Sequence, residues 1–220
     1  MFTNPTLIVD FDGTLWDSEG FLRELYAVAE RYGISAKAML STWEDSWSHP
    51  ARREGYTARR HAGKLADITP RYHEDELNAW LEEHHARMGD YIYPDAHLFL
   101  HEMRDAGYTL VLLSHGDPVW QRRKLAATGL ADHFDSVQAS RHSKEDVLRD
   151  MIGDMEHPHM LFINDNPEEN WRVSHAMPRL AQAMRMNSDR WPEEQYVRVG
   201  HPYFSTLDDV RQYAHSFFRG

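Results

Sequence analysis

The sequence predicts an α/β protein: a doubly wound parallel sheet interrupted early by a block of helices. Short apolar runs rich in β-branched residues alternate with helical periodicity from about residue 92 onward. Between residues 17 and 91, helical periodicity recurs without a convincing strand. Three of the apolar runs end at polar residues able to do chemistry, Asp10, Ser114 and Asp165. Ligands of parallel sheets bind just beyond the carboxyl ends of the strands, so one crevice can collect all three.

The first strand is Leu7-Ile8-Val9, which leads into Asp10-Phe11-Asp12-Gly13-Thr14. Phe21, Leu22, Leu25, Val28 and Ala29 then recur at helical spacing, with Gly33 as a stop. Further helices are expected over Ala38–Trp47, Tyr56–Ala66 and His73–Met88. Pro94-Asp95 opens another helix, with Asp95 as its cap and Gly107 beyond its end. Tyr108–Leu113 is the cleanest buried strand and runs into Ser114-His115-Gly116. A helix over Val119–Ala127 follows, then a short strand over Phe134–Val137. Ser143 caps a helix over Lys144–Met151, with Asp146 as a capping-box-like partner. Met160–Ile163 is the next strand and ends at Asn164-Asp165-Asn166-Pro167, before a helix from Glu168 to the Ser174 region. Arg179–Met186 reads as a fifth strand, weakened by Arg179, Gln182 and Arg185. Leu207–Phe218 reads as a terminal helix capped by Ser205 or Thr206. The expected division is therefore an α/β core over residues 1–16 and 92–220, with an α-helical cap over 17–91.

The chain's 220 residues suffice for one full core plus an insertion. Its net charge of -11 disfavours nucleic acid, whose binding rests on phosphate contacts. The absence of cysteine excludes disulfides and thiol chemistry. The 15 histidines are scattered, with no zinc-type spacing. No apolar run approaches the ~20 residues of a membrane span and no signal-peptide pattern opens the chain, so a cytoplasmic protein off the membrane is expected.

The chemistry begins at Asp10-Phe11-Asp12. Residues two apart on a strand face the same way, so both carboxylates can address one site. Two carboxylates this close repel unless one is protonated or a cation intervenes. Hard oxygen donors favour Mg²⁺ or Ca²⁺ over zinc. An EF-hand loop fails on position, since Leu15 stands where that loop needs glycine.

The D-x-D-G-T stretch after an apolar strand resembles the first motif of the haloacid dehalogenase-like superfamily. Ser114, Lys144 and Asp165 follow in the order of that family's later motifs. The resemblance implies a Rossmann-like core with a helical C1-type cap. It implies Asp10 as nucleophile, Asp12 as general acid/base, and Ser114 and Lys144 as further catalytic groups. It implies Mg²⁺ held at Asp10, Asp12 (through its carbonyl), Asp165 and Glu169, with Asn170 the alternative to Glu169. Lys144 is preferred over Lys124 for the lysine. Thr14, His115 and Gly116 are expected on the substrate.

The implied function is hydrolysis of a small phosphorylated metabolite through an aspartyl-phosphate, by a monomer or homodimer. Asp12 favours phosphoryl transfer, because a halide leaving group needs no acid. A phosphomutase of the same fold, or a non-catalytic phosphate- or metal-binding module, are the alternatives. Residues 49–64 hold Arg52, Arg53, Arg59, Arg60 and Lys64 against Glu54 alone. Arg52 and Arg53 are expected to read a distal anionic group of the substrate, with Trp43, Trp47 and Tyr56 offering flat apolar surface nearby. The competing reading is a solvated helix face.

Overall fold

The computed structural model describes residues 4–47, 55–153 and 159–219. In chain order the elements are β1 (Thr6–Val9), α1 (Ser18–Arg31), α2 (Ala36–Trp47), α3 (Ala58–Ile68), α4 (Glu74–Ala86), α5 (Ala96–Asp105) and β2 (Thr109–His115). Then come α6 (Pro118–Thr128), β3 (Ser136–Ser140), α7 (Lys144–Ile152), β4 (Met160–Asn164), α8 (Pro167–Ala176), β5 (Ala181–Arg185), α9 (Glu193–Val199), β6 (Tyr203–Phe204) and α10 (Leu207–Arg219). By its contacts the chain falls into two units. One comprises residues 1–17, 92–115 and 130–220, and the other residues 18–91 and 116–129.

The first unit is an α/β Rossmann-like sheet of six parallel strands, in the order β3-β2-β1-β4-β5-β6. Leu7, Ile8 and Val9 are fully buried because β1 lies between β2 and β4. Alternation puts Ile8, Val111, Leu113 and Phe162 into one cluster with Leu148 and Ile152 of α7 and Val173 of α8. Helices α5 and α10 pack on β2, β5 and one another. Asp95 makes no cap bond to its own helix and accepts instead from Leu207 N at 2.8 Å, at the start of α10. Ser143 Oγ accepts from Asp146 N as the cap of α7. The Asp146 carboxylate returns to the Ser143 hydroxyl rather than to its backbone. Strand β3 begins two residues later than expected, and β6 is an additional strand.

The second unit is helical. Its core gathers Tyr56, His61, His85 and Trp120, all nearly buried. The Tyr56 and Trp120 rings lie 4.5 Å apart, and those of His85 and Trp120 4.8 Å. The Tyr56 hydroxyl meets His61 Nδ1 at 3.1 Å, and His61 Nε2 meets Thr42 Oγ1 at 2.9 Å. Residues 116–129 group with these helices, whereas the sequence reading assigns them to the core. The reason is local: Trp120 joins the aromatic cluster, Arg123 pairs with Glu82, and Asp117 Oδ2 accepts from Tyr56 N at 2.6 Å. Tyr56 is therefore core, not open apolar surface. Among the described residues no helix is long and apolar enough to cross a membrane.

Candidate active site

Register brings the site residues to one edge of the sheet. Val9 is level with Leu112 on β2 and Ile163 on β4. The residues just beyond those positions, Asp10, Ser114 and Asp165, therefore emerge at the same carboxyl-end edge. Asp10 N donates to Ile163 O at 2.9 Å, which extends the ladder one step past β1.

Asp10 is 2% exposed. One of its oxygens pairs with Lys144 Nζ at 2.6 Å, and the other accepts from the Thr14 hydroxyl at 3.3 Å. Lys144 Nζ also meets Glu169 Oε2 at 2.7 Å and Asn164 Oδ1 at 3.0 Å. Asn164 is fully buried, and its amide donates to Glu169 Oε2 and Asn170 Oδ1. The lysine thus stands among three acceptors, of which Asn164 is one and holds another, Glu169.

The electrostatics follow from burial and pairing. Burial pushes the Asp10 carboxyl up, against the pull of Lys144 and with help from Glu169 and Asp12, to about 6. Burial and then the Asp10 charge push Asp165 up to about 8. For Lys144, burial works against the charge, but Asp10 and Glu169 outweigh it and hold the ammonium above the usual lysine range. Glu169 is likewise opposed by burial, yet Lys144 and Asn164 hold it below the usual carboxylate range.

Asp165 is positioned by residues far along the chain. Asn187 Nδ2 donates to its Oδ2 at 3.2 Å, and the Tyr196 hydroxyl donates to its backbone carbonyl at 2.8 Å. The same Tyr196 oxygen accepts from Asn187 N at 2.9 Å. Gly13 packs against this carboxylate: its φ is 79°, and a Cβ there would lie 2.1 Å from Asp165 Oδ2. Sequence reading misses Asn187 and Tyr196. Tyr196 is the only buried residue of α9, a seven-residue helix without a periodic apolar stripe.

Of the expected site residues, Asp10, Lys144 and Glu169 meet directly, and Asp12 and Asp165 act electrostatically on or with Asp10. Ser114 is 1% exposed and its Oγ has no hydrogen-bond partner among the described residues. Thr14, expected on the substrate, is buried and gives its hydroxyl to Asp10. His115 is exposed and close enough to Glu169 to help lower it. Gly116 groups with the helical unit, as does Lys124. Arg52 and Arg53 lie outside the described residues, as does the side chain of Trp47. Arg59 pairs with Glu74 and Asp75, as a solvated face would.

Residues 5–160 match the sequence model of the haloacid dehalogenase-like hydrolases, and the chain belongs to that family. A curated phosphoserine phosphatase from Thermus thermophilus is 36% identical over 119 residues, 54% of this chain. The match spans 43% of that relative, less than half its length. A haloacid dehalogenase-like hydrolase from Burkholderia xenovorans shares the fold at 20% identity and a TM-score of 0.67, over 97% of this chain and 98% of that one. An L-2-haloacid dehalogenase from Xanthobacter autotrophicus, with chloropropionic acid covalently bound, does so at 18% identity and 0.60, over 97% and 99%.

The family implies a divalent metal, and the donor chemistry fits one. Among the described residues no cluster of three or more acidic or histidine side chains is set to hold an ion. Mg²⁺, however, takes only one or two carboxylates and keeps several waters. Asp10 and Asp165 are two buried carboxylates, and the charge of Asp10 raises Asp165. A cation shared by them would relieve that repulsion. Glu169 enters as the counter-ion of Lys144, with Oε2 committed, so direct metal ligation would have to use its other oxygen.

Proposed function

We propose that this chain hydrolyses a small phosphate monoester through an aspartyl-phosphate on Asp10, with Mg²⁺ as cofactor. The observation that carries the reading is the buried Asp10–Lys144–Glu169 chain beside Asp165, with a second carboxylate, Asp12, two residues from Asp10. Asp10, Asp165 and the Asp12 carbonyl would hold Mg²⁺, which when bound supplies Lewis-acid neutralisation of phosphoryl charge.

Asp10 attacks phosphorus and the bond to the leaving oxygen breaks. Asp12 gives that oxygen its proton. Asp12, now a base, takes a proton from water as the water oxygen attacks the phosphorus of the acyl phosphate, and Asp10 is released. Lys144, held charged, offsets the negative charge gathered on Asp10 and the transferred group. The buried Ser114 hydroxyl, with no hydrogen-bond partner among the described residues, can donate to a phosphoryl oxygen. Thr14 orients Asp10 through its hydroxyl. The acid role of Asp12 favours phosphate esters over haloacids, since halide departs without a proton. The name of the matched relative adds phosphoserine to the substrates worth testing.

The test is turnover of p-nitrophenyl phosphate with Mg²⁺ and after EDTA, beside a panel of phosphorylated metabolites that includes phosphoserine. Halide release from 2-chloropropionate is measured in parallel. Mg²⁺-dependent phosphate release is expected. Halide release without phosphatase activity would overturn the reading, and turnover undiminished by thorough metal removal would overturn the cofactor.

A further inference from the structure

Arg185 stands at the carboxyl end of β5 and is 9% exposed. Its Nη1 donates to the Gly13 carbonyl at 2.9 Å. Its guanidinium carbon lies 3.5 Å from the centroid of the Tyr93 ring. Its Nε is buried without an acceptor, and among the described residues it forms no ion pair. A buried cation without a carboxylate partner is costly to keep, and an apolar side chain would fill the same space without that cost. The carbonyl and the ring face offset part of the cost, and both belong to segments that frame Asp12.

Gly13 follows Asp12 directly. Its N–H donates to Trp16 O at 2.8 Å, so both ends of its peptide environment are held. Asp12 forms a parallel bridge with Trp16, and Trp16 an antiparallel bridge with Ile92. Tyr93 N donates to Leu15 O at 3.1 Å. The ring against the guanidinium therefore belongs to the segment bridged to the Asp12 turn. Arg185 touches that turn at Gly13 and the segment bridged to it at Tyr93.

We propose that Arg185 is a positioning residue for Asp12: by holding the Gly13 carbonyl, with its own direction set by Tyr93, it fixes where the adjacent carboxylate gives and takes a proton. The inference rests on the acid/base role proposed for Asp12. It adds a residue that, among the described residues, makes no hydrogen bond or ion pair to Asp10.

The experiment compares wild type with Arg185→Met and Arg185→Lys by two independent readouts. The first is amide hydrogen exchange in the metal-free protein. Arg185→Met should speed exchange over residues 12–16 by roughly tenfold, with residues 109–113 of β2 unchanged. The second is leaving-group dependence. Loss of Asp12 alignment should lower kcat for an alkyl phosphate by about 100-fold, with KM moving less than about threefold. p-Nitrophenyl phosphate, whose leaving group departs without a proton, should lose much less. Arg185→Lys keeps the charge but not the flat ring contact and should fall between the two. A merely structural role would lower both esters alike, and that result overturns the proposal. Unchanged exchange over 12–16 overturns it also. If wild type turns over neither ester, the phosphatase reading fails on its own account, and the exchange arm still decides whether Arg185 holds the turn.

Discussion

Acid should weaken the helical unit through two of its buried histidines, His61 and His85. Burial pushes His61 from the ordinary 6.5 down to about 4. Burial, then the Arg123, His84 and His61 charges, push His85 down to about 2. Both folded values lie below the unfolded one, so below 6.5 the unfolded chain binds more protons than the folded chain. Stability from these groups is complete above that pH and falls on acidification. At pH 5 the gap is about 1.5 pH units for either residue, or about 2 kcal/mol each at ~1.36 kcal/mol per unit. His85→Phe isolates one of the two. Among the described residues its buried Nδ1 has no hydrogen-bond partner, and its Nε2 makes a long 3.4 Å contact to the Tyr56 hydroxyl. The variant should match wild type at pH 7 and lose about 2 kcal/mol less between pH 7 and pH 5. Urea unfolding followed by tryptophan fluorescence at both pH values measures this. The carboxylates common to both proteins cancel in the comparison. Equal losses in the two proteins would refute the argument.

Three further outcomes are expected. Asp10→Asn should fold normally and show no p-nitrophenyl phosphate turnover, because the amide is near-isosteric but a poor nucleophile; near-normal turnover would place the nucleophile elsewhere. Lys144→Met should cost about 3–5 kcal/mol in urea unfolding near pH 8, since it leaves Asp10 and Glu169 buried without their cation. A loss under about 1 kcal/mol would mean the carboxylates find another partner. Gly13→Ala should lower the melting temperature and abolish turnover together, from a left-handed backbone costing about 1–2 kcal/mol and a Cβ placed 2.1 Å from Asp165 Oδ2.

What the sequence discloses and what it hides divide along the range of the interaction. Asp10, Ser114 and Asp165 are legible because each ends a short apolar run, and a parallel sheet exports the ends of its strands to one edge. Lys144 is legible from its place at the start of a capped helix, although Lys124 competes on order alone. The supports of these residues are not legible. Asn187 and Tyr196 reach Asp165 from 22 and 31 positions away, and Arg185 reaches Gly13 across 172. The α9 helix carries too little apolar pattern to announce Tyr196, and the two residues of β6 are too few to show a period. Strand β5 is the instructive element. Gln182 and Arg185 count against it when burial is read from polarity, yet they are 3% and 9% exposed inside it. A polar residue kept on a buried strand needs a partner, and for Arg185 the partner is the carbonyl next to Asp12. The residues that blur a strand pattern beside a catalytic edge are therefore the ones to examine for function, because apolar substitution there would make the strand easier to bury and leave the turn beyond it unheld.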